Sequence, residues 1–116
     1  MSGQNDTPLV RFAELDIDPA HLDQYTDLLK IEIEASVRLE PGVLALYAIS
    51  VRDQPTAIRI MEIYADQDTY ESHLKSAHFL EYKQATLSMI QSLRLIAVDP
   101  IILGSGGSGQ DLTHRS

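Results

Sequence analysis

The chain has 116 residues, enough for one domain of ordinary size, and a 44% hydrophobic share that suits a globular core. With 17 Asp and Glu against 9 Lys and Arg, its net charge of -8 argues against a nucleic-acid partner and against an anionic membrane surface, because both need basic patches. It has no cysteine, which removes disulfides, thiolate chemistry and cysteine-based zinc sites.

Met1 to Thr7 is polar and lacks an apolar h-region, and no apolar run is long enough to span a bilayer. A cytoplasmic soluble protein is therefore expected. Residues 1–7 read as a disordered leader, 8–103 as the folded domain and 104–116 as a flexible Gly/Ser-rich tail.

Leu9 to Ile17 alternates as a strand, with Leu9, Arg11, Ala13, Leu15 and Ile17 on one face and Val10 and Phe12 on the other. Asp18-Pro19 marks a helix start, with Asp18 as cap and Pro19 at the first helical position. Leu22, Tyr25, Leu28, Leu29, Glu32 and Ser36 then share a helical stripe that is apolar over its first turns, and Pro41-Gly42 ends the helix. Val43 to Val51 reads as a strand with both faces apolar: Val43, Ala45, Tyr47, Ile49 and Val51 against Leu44, Leu46 and Ala48. Asp53-Gln54-Pro55 is a turn, and Thr56 to Ala65 returns as the antiparallel partner. Asp68-Thr69-Tyr70-Glu71 predicts a capped short helix running to about Lys75. Ser76 caps a second helix whose stripe is Phe79, Tyr82, Thr86 and Met89, continued by Ile90 and Leu93. A last strand is expected from Leu93 to Leu103.

The order βαββαβ predicts an α+β, ferredoxin-like fold, a four-stranded antiparallel sheet with helices on one face. Such a sheet, open to water on its other face, should alternate cleanly between apolar and polar. The doubly apolar strand at Val43 to Val51 does not, so a homodimer packed sheet to sheet is expected.

Glu62 is the residue that points to chemistry. It shares a strand face with Ile58, Ile60 and Tyr64, and a carboxylate among isoleucines is expensive unless paired, hydrogen-bonded or protonated. His73 and His78 follow closely. A carboxylate, a tyrosine and two histidines from one short segment suggest a small pocket suited to proton transfer. Each residue also has a structural reading. Glu62 pairs with Arg59, Arg94 or a helix donor, Tyr64 is a sheet aromatic, His73 is a solvated helix residue, and His78 packs or caps at a helix start.

Glu62-Ile63-Tyr64-Ala65-Asp66, His73 and His78-Phe79, with Glu40-Pro41-Gly42-Val43 after the first helix, resemble the antibiotic biosynthesis monooxygenase domain over roughly Leu9 to Leu103. The resemblance implies a dimeric α/β barrel with a pocket between sheet and helices. Glu62, Tyr64, His73 and His78 would form the catalytic set, and Ile60, Phe79 and Tyr82 would line the substrate pocket. Many members are cofactor-free oxygenases of quinols or polyketide anthrones. A related branch isomerises phosphorylated autoinducer-2, and other relatives degrade haem. The Trp and Asn side chains used by the anthrone oxygenases and haem degraders are missing here: there is no Trp, and the one Asn is Asn5. Tyr64 stands where the anthrone enzymes have Trp. The resemblance therefore points toward quinol oxygenases and the isomerase branch.

The expected activity is a cofactor-independent monooxygenase that oxidises a small quinol-type substrate with O2. An isomerase of a small phosphorylated carbonyl compound stays open, with Arg11, Lys30 or Arg38 as phosphate-binding cation. So does a non-catalytic ligand-binding module. The oxygenase chemistry needs a base, supplied by His73 or His78, a carboxylate such as Glu62 to orient the imidazole, and Tyr64 to donate to the substrate oxygen. No cofactor and no metal are expected. His73 and His78 are five residues apart and would point about 140° apart on a continuous helix, although a break at Ser76 would bring them together. Gly104-Ser105-Gly106-Gly107-Ser108-Gly109 satisfies G-x-G-x-x-G, but the short polar remainder cannot build the helix that holds a pyrophosphate.

Overall fold

Four strands and three α-helices follow one another as β1 (Leu9–Ile17), a 3-10 turn (Pro19–His21), α1 (Leu22–Leu39), β2 (Val43–Val51), β3 (Gln54–Tyr64), α2 (Gln67–Leu74), α3 (Ala77–Thr86) and β4 (Ile90–Val98). This is a computed structural model describing residues 7–106. The expected leader, apart from Thr7, and the tail beyond residue 106 lie outside the described residues. The strands form one antiparallel sheet in the order β2-β3-β1-β4, the ferredoxin-like arrangement expected from the sequence. Among the described residues, no helix is long and apolar enough to cross a membrane.

The register explains which side chains meet. On the face toward the helices, the rungs are Leu46–Glu62–Arg11–Ala97, Ala48–Ile60–Ala13–Leu95 and Ser50–Ile58–Leu15–Leu93. Ala13, Leu15, Ile58 and Ile60 pack there against Tyr25 and Leu29 of α1 and against Met89. The opposite face is graded. Val10, Ala45 and Ile63 form a small buried cluster, with Val98 against it. Tyr47, Met61, Phe12 and Ile96 make the next rung, followed by Ile49, Arg59, Glu14 and Arg94. Glu14 lies 3.8 Å from Arg59 and 3.8 Å from Arg94. These two arginines therefore serve the outer face and do not pair with Glu62.

Four sequence expectations need correction. The register of β2 shifts between Val43 and Ala45, so Val43 opposes Tyr64 while Ala45 opposes Ile63. This bulge moves Val43 off the face it shares with Ala45, Tyr47 and Ile49 in simple alternation. The β2–β3 turn lies at Arg52 and Asp53, and Gln54 already belongs to β3. The cap of α2 is Asp66, not Asp68; Asp66 Oδ1 accepts from Thr69 N at 2.8 Å and from Thr69 Oγ1 at 2.7 Å. Finally, β4 starts at Ile90 and ends at Val98, so Ile90 and Leu93 are strand residues. Met89 fixes the start, its N–H donating to Thr86 O and its carbonyl accepting from Asp18 N. At the other end, Pro100 lacks the N–H a further rung needs.

Candidate functional site

A cavity of about 500 Å³ lies between the helix-facing side of the sheet and the three helices. Ile60, Glu62 and Tyr64 reach it from β3, His73 from α2, and Phe79 and Tyr82 from α3. Six of the seven residues singled out in the sequence therefore share one wall system. The seventh, His78, sits behind the wall, beside Glu40. Leu93 and Leu95 extend the apolar lining along β4.

Burial dominates the electrostatics of Glu62. Loss of water pushes its carboxyl above the usual carboxylate range, and a hydrogen bond from Tyr64 with the charges of His73 and Arg11 opposes this. Tyr64 Oη donates to Glu62 Oε1 at 2.8 Å. The Tyr64 hydroxyl is therefore engaged by the carboxylate and is pushed up, first by burial and then by the neighbouring Glu62 charge. Arg11, directly across the ladder from Glu62, lies over the ring of Tyr70 at 5.1 Å.

The histidines turn to another carboxylate. His73 Nδ1 lies 3.0 Å from Glu40 Oε2, and His78 Nε2 lies 2.5 Å from the same oxygen. Glu40, at the end of α1, is thus the carboxylate in contact with both imidazoles, whereas Glu62 bonds Tyr64. The local fold makes this possible. Ser76 breaks the helix between the two imidazoles, its Oγ donating to His73 O at 2.7 Å and accepting from Phe79 N at 3.3 Å. The Ser76 hydrogen is thereby committed, and the single Nε2–H of His78 is directed first at Glu40 Oε2, with Ser76 Oγ a second acceptor 3.2 Å away. With its Nδ1–H directed at Glu40, a neutral His73 ring carries its lone pair on Nε2. That nitrogen lies 3.7 Å from Glu32 Oε2.

Glu32 and Glu40 were not recognised as site residues. Glu32 did carry a signal: it is a charged position on the apolar stripe of α1, and it is buried in the structure. Burial raises its carboxyl above the ordinary range; Ser36 and the two histidines oppose the shift, and Glu40 adds to it. Ser36 Oγ shares its one hydrogen between Glu32 O at 2.8 Å and Glu32 Oε2 at 3.0 Å, while Glu32 Oε1 is buried without a hydrogen-bond partner. Glu40 gave no signal beyond its place in the Glu-Pro-Gly-Val turn.

A second polar pair borders the cavity. Tyr25 and Tyr82 share one hydrogen bond, with 2.6 Å between hydroxyl oxygens. Tyr25 is wholly buried in the core, and this bond to Tyr82, in which either hydroxyl can donate, ties it to the cavity wall. Tyr82 lines the cavity. Of the three cations considered for a phosphate, Lys30 and Arg38 are exposed on α1 and Arg11 stacks on Tyr70; Lys83 is the lysine that reaches the cavity.

A family model described as antibiotic biosynthesis monooxygenase matches residues 8–85. Among solved structures, a Bacteroides thetaiotaomicron protein provisionally named an antibiotic biosynthesis monooxygenase is 46% identical, with a TM-score of 0.83 over 87% of this chain and 96% of that one. A provisionally named monooxygenase from Lactobacillus acidophilus is 25% identical, with a TM-score of 0.76 over 78% of this chain but only 43% of its own length. A Pseudomonas aeruginosa protein at 22% identity shares the fold, with a TM-score of 0.78 over 86% of this chain and all of that one. No curated protein matches the chain at a significant level. The family match, covering most of the folded region, and the 46% identity together place this chain in the antibiotic biosynthesis monooxygenase family.

Proposed function

We propose that the protein is a cofactor-independent monooxygenase acting on a small hydroxylated aromatic of the quinol type. The observation that carries this reading is a largely apolar cavity with His73 in its wall, its Nδ1 side held by Glu40. A base oriented by a carboxylate, in a site that excludes bulk water, is what deprotonation of a phenol needs. His73 Nε2 takes the phenolic proton. The Tyr82 hydroxyl, backed by Tyr25, donates to the resulting phenolate oxygen. The phenolate gives one electron to O2, and the semiquinone and superoxide couple through a new ring C–O bond. The peroxo oxygen takes the proton back from His73. Loss of the ring C–H proton to the Glu62 carboxylate then accompanies O–O cleavage. The carbon becomes a carbonyl, and the departing hydroxide takes that proton from Glu62 to leave as water, which restores the carboxylate. Quinol and O2 thus give hydroxyquinone and water, with O2 itself as oxidant.

Oxygen uptake by chelator-treated protein against a panel of quinols tests the reading. Uptake should exceed autoxidation and release one hydroxyquinone per O2 consumed. His73→Ala should lower turnover by about 10²–10⁴-fold, the usual contribution of a general base. Glu40→Gln, which cannot hold the imidazole as a carboxylate does, should lower it by about 10–100-fold. No uptake on any quinol, from variants and wild type that are equally folded, would shift weight to an isomerase using Lys83 for a phosphate.

The same reading includes a homodimer joined through the outer sheet face. Tyr47, Ile49 and Met61 are exposed side by side there, next to the buried Val10–Ala45–Ile63 cluster. A second copy would remove this patch from water.

A further inference from the structure

Three helices converge on one point at the cavity wall. Glu32 comes from α1, His73 from the last turn of α2 and His78 from the first turn of α3, and one donor atom of each lies within 4.8 Å of the other two. The helix break at Ser76 produces the meeting that a continuous helix would forbid. Glu32 Oε2 and His73 Nε2 are already 3.7 Å apart. A tetrahedral ion with bonds of about 2.1 Å spaces its ligands about 3.4 Å apart, so the third donor, His78, must shift and exchange its contact with Glu40 for the ion, releasing a proton.

Two independent features point to a ligand. Glu32 Oε1 is an unpartnered oxygen on a side chain only 5% exposed, a costly arrangement for a carboxylate. Ser36 fixes its other oxygen from within the same helix. In addition, Glu40 accepts at His73 Nδ1, which is the outer-sphere carboxylate that orients an imidazole with Nε2 toward a metal.

We propose that Glu32, His73 and His78 bind one divalent first-row transition ion, with Glu40 supporting His73 and the remaining coordination position facing the cavity. Two imidazoles and one carboxylate suit Zn²⁺, Co²⁺ or Fe²⁺, whereas Mg²⁺ and Ca²⁺ favour oxygen ligands throughout. Access is through the cavity, since Glu32 and His73 both line it. The ion takes the same His73 Nε2 lone pair that deprotonates the quinol, so on the proposed function metal-loaded protein loses the oxygenase activity that chelator-treated protein shows.

The test is titration of the chelator-treated full-length protein with Zn²⁺ by calorimetry and with Co²⁺ by visible d–d absorption. It needs no turnover, so its failure and a failure of the oxygenase reading are separate results. Expected are one ion per chain, a Co²⁺ spectrum of low coordination number, and proton release on binding. Glu32→Gln and His78→Gln should each weaken affinity at least 10-fold, and Glu40→Gln by about 10–100-fold. Zn²⁺ should raise the melting temperature of the wild type and not of Glu32→Gln, which keeps the comparison decisive if a histidine variant folds poorly. Binding of undiminished affinity in Glu32→Gln belongs to other histidines, such as His21 or His114, and overturns the proposal. So does absence of binding by the wild type.

Discussion

At the scale of single residues, Glu62 shows what a strand pattern reveals and what it withholds. Its place among Ile58, Ile60 and Tyr64 was legible because strand periodicity fixes which side chains share a face. Its partner was not, because Arg59 and Arg94 belong to the other face and the donor proved to be Tyr64, two residues along the same strand. The raised Glu62 carboxyl has a testable consequence. The folded chain holds this proton more tightly than the unfolded chain does. That contribution to stability is present below the ordinary carboxylate range and is lost as pH rises through the folded value. Glu62→Gln keeps an acceptor for Tyr64 and has no charge to bury. Urea melts across the acidic to neutral range should show wild type losing stability relative to the variant as pH rises; parallel curves would mean that the carboxyl is solvated. Tyr25→Phe should cost about 1 kcal/mol in the same assay, the ordinary net value of one hydrogen bond.

At the scale of elements, the joint between α2 and α3 carries most of what the site needs. Ser76 was legible as a cap, but its second bond, to His73 O, was not, because it depends on how α2 ends. That bond and the shared contact to Glu40 together set the separation of the two imidazoles. Ser76→Ala should cost about 1 kcal/mol of stability, as lost caps do, and should broaden the imidazole resonances of both histidines in NMR spectra. The other joint lies where Gly42 meets α2. A Cβ at Gly42 would overlap the side chain of Thr69. Gly42→Ala should therefore destabilise by about 1–3 kcal/mol, and adding Thr69→Ala should recover part of the loss in denaturant melts. Element boundaries were the least legible part of the fold. Thr86 and Met89 fit the α3 stripe by spacing, and nothing local shows that Met89 instead closes a turn and bonds Asp18. Glu40 was hidden for a related reason: it lies at a helix end, and its partners come from α2 and α3, more than 30 residues later.

For the whole molecule, the doubly apolar character of β2 leaves Tyr47 and Ile49 exposed on the outer face beside Met61 of β3, and the bulge at its start alters which side chains share each face. Light scattering with size exclusion should give twice the mass of one chain, and Ile49→Arg, placing charge on the exposed rung, should give a single-chain mass with an unchanged circular dichroism spectrum. A wild-type monomer would leave Tyr47, Ile49 and Met61 without a proposed partner. The outer face is also directional. It runs from the Val10–Ala45–Ile63 cluster, through Tyr47 and Met61, to the Glu14–Arg59–Arg94 group and the Asp16–Ser92 hydrogen bond. Two copies sliding across one another would meet a steep mismatch in every alignment that sets an oily end against an ionic one. The gradient would therefore act as a keel, fixing the heading of one subunit on the other before any particular contact forms.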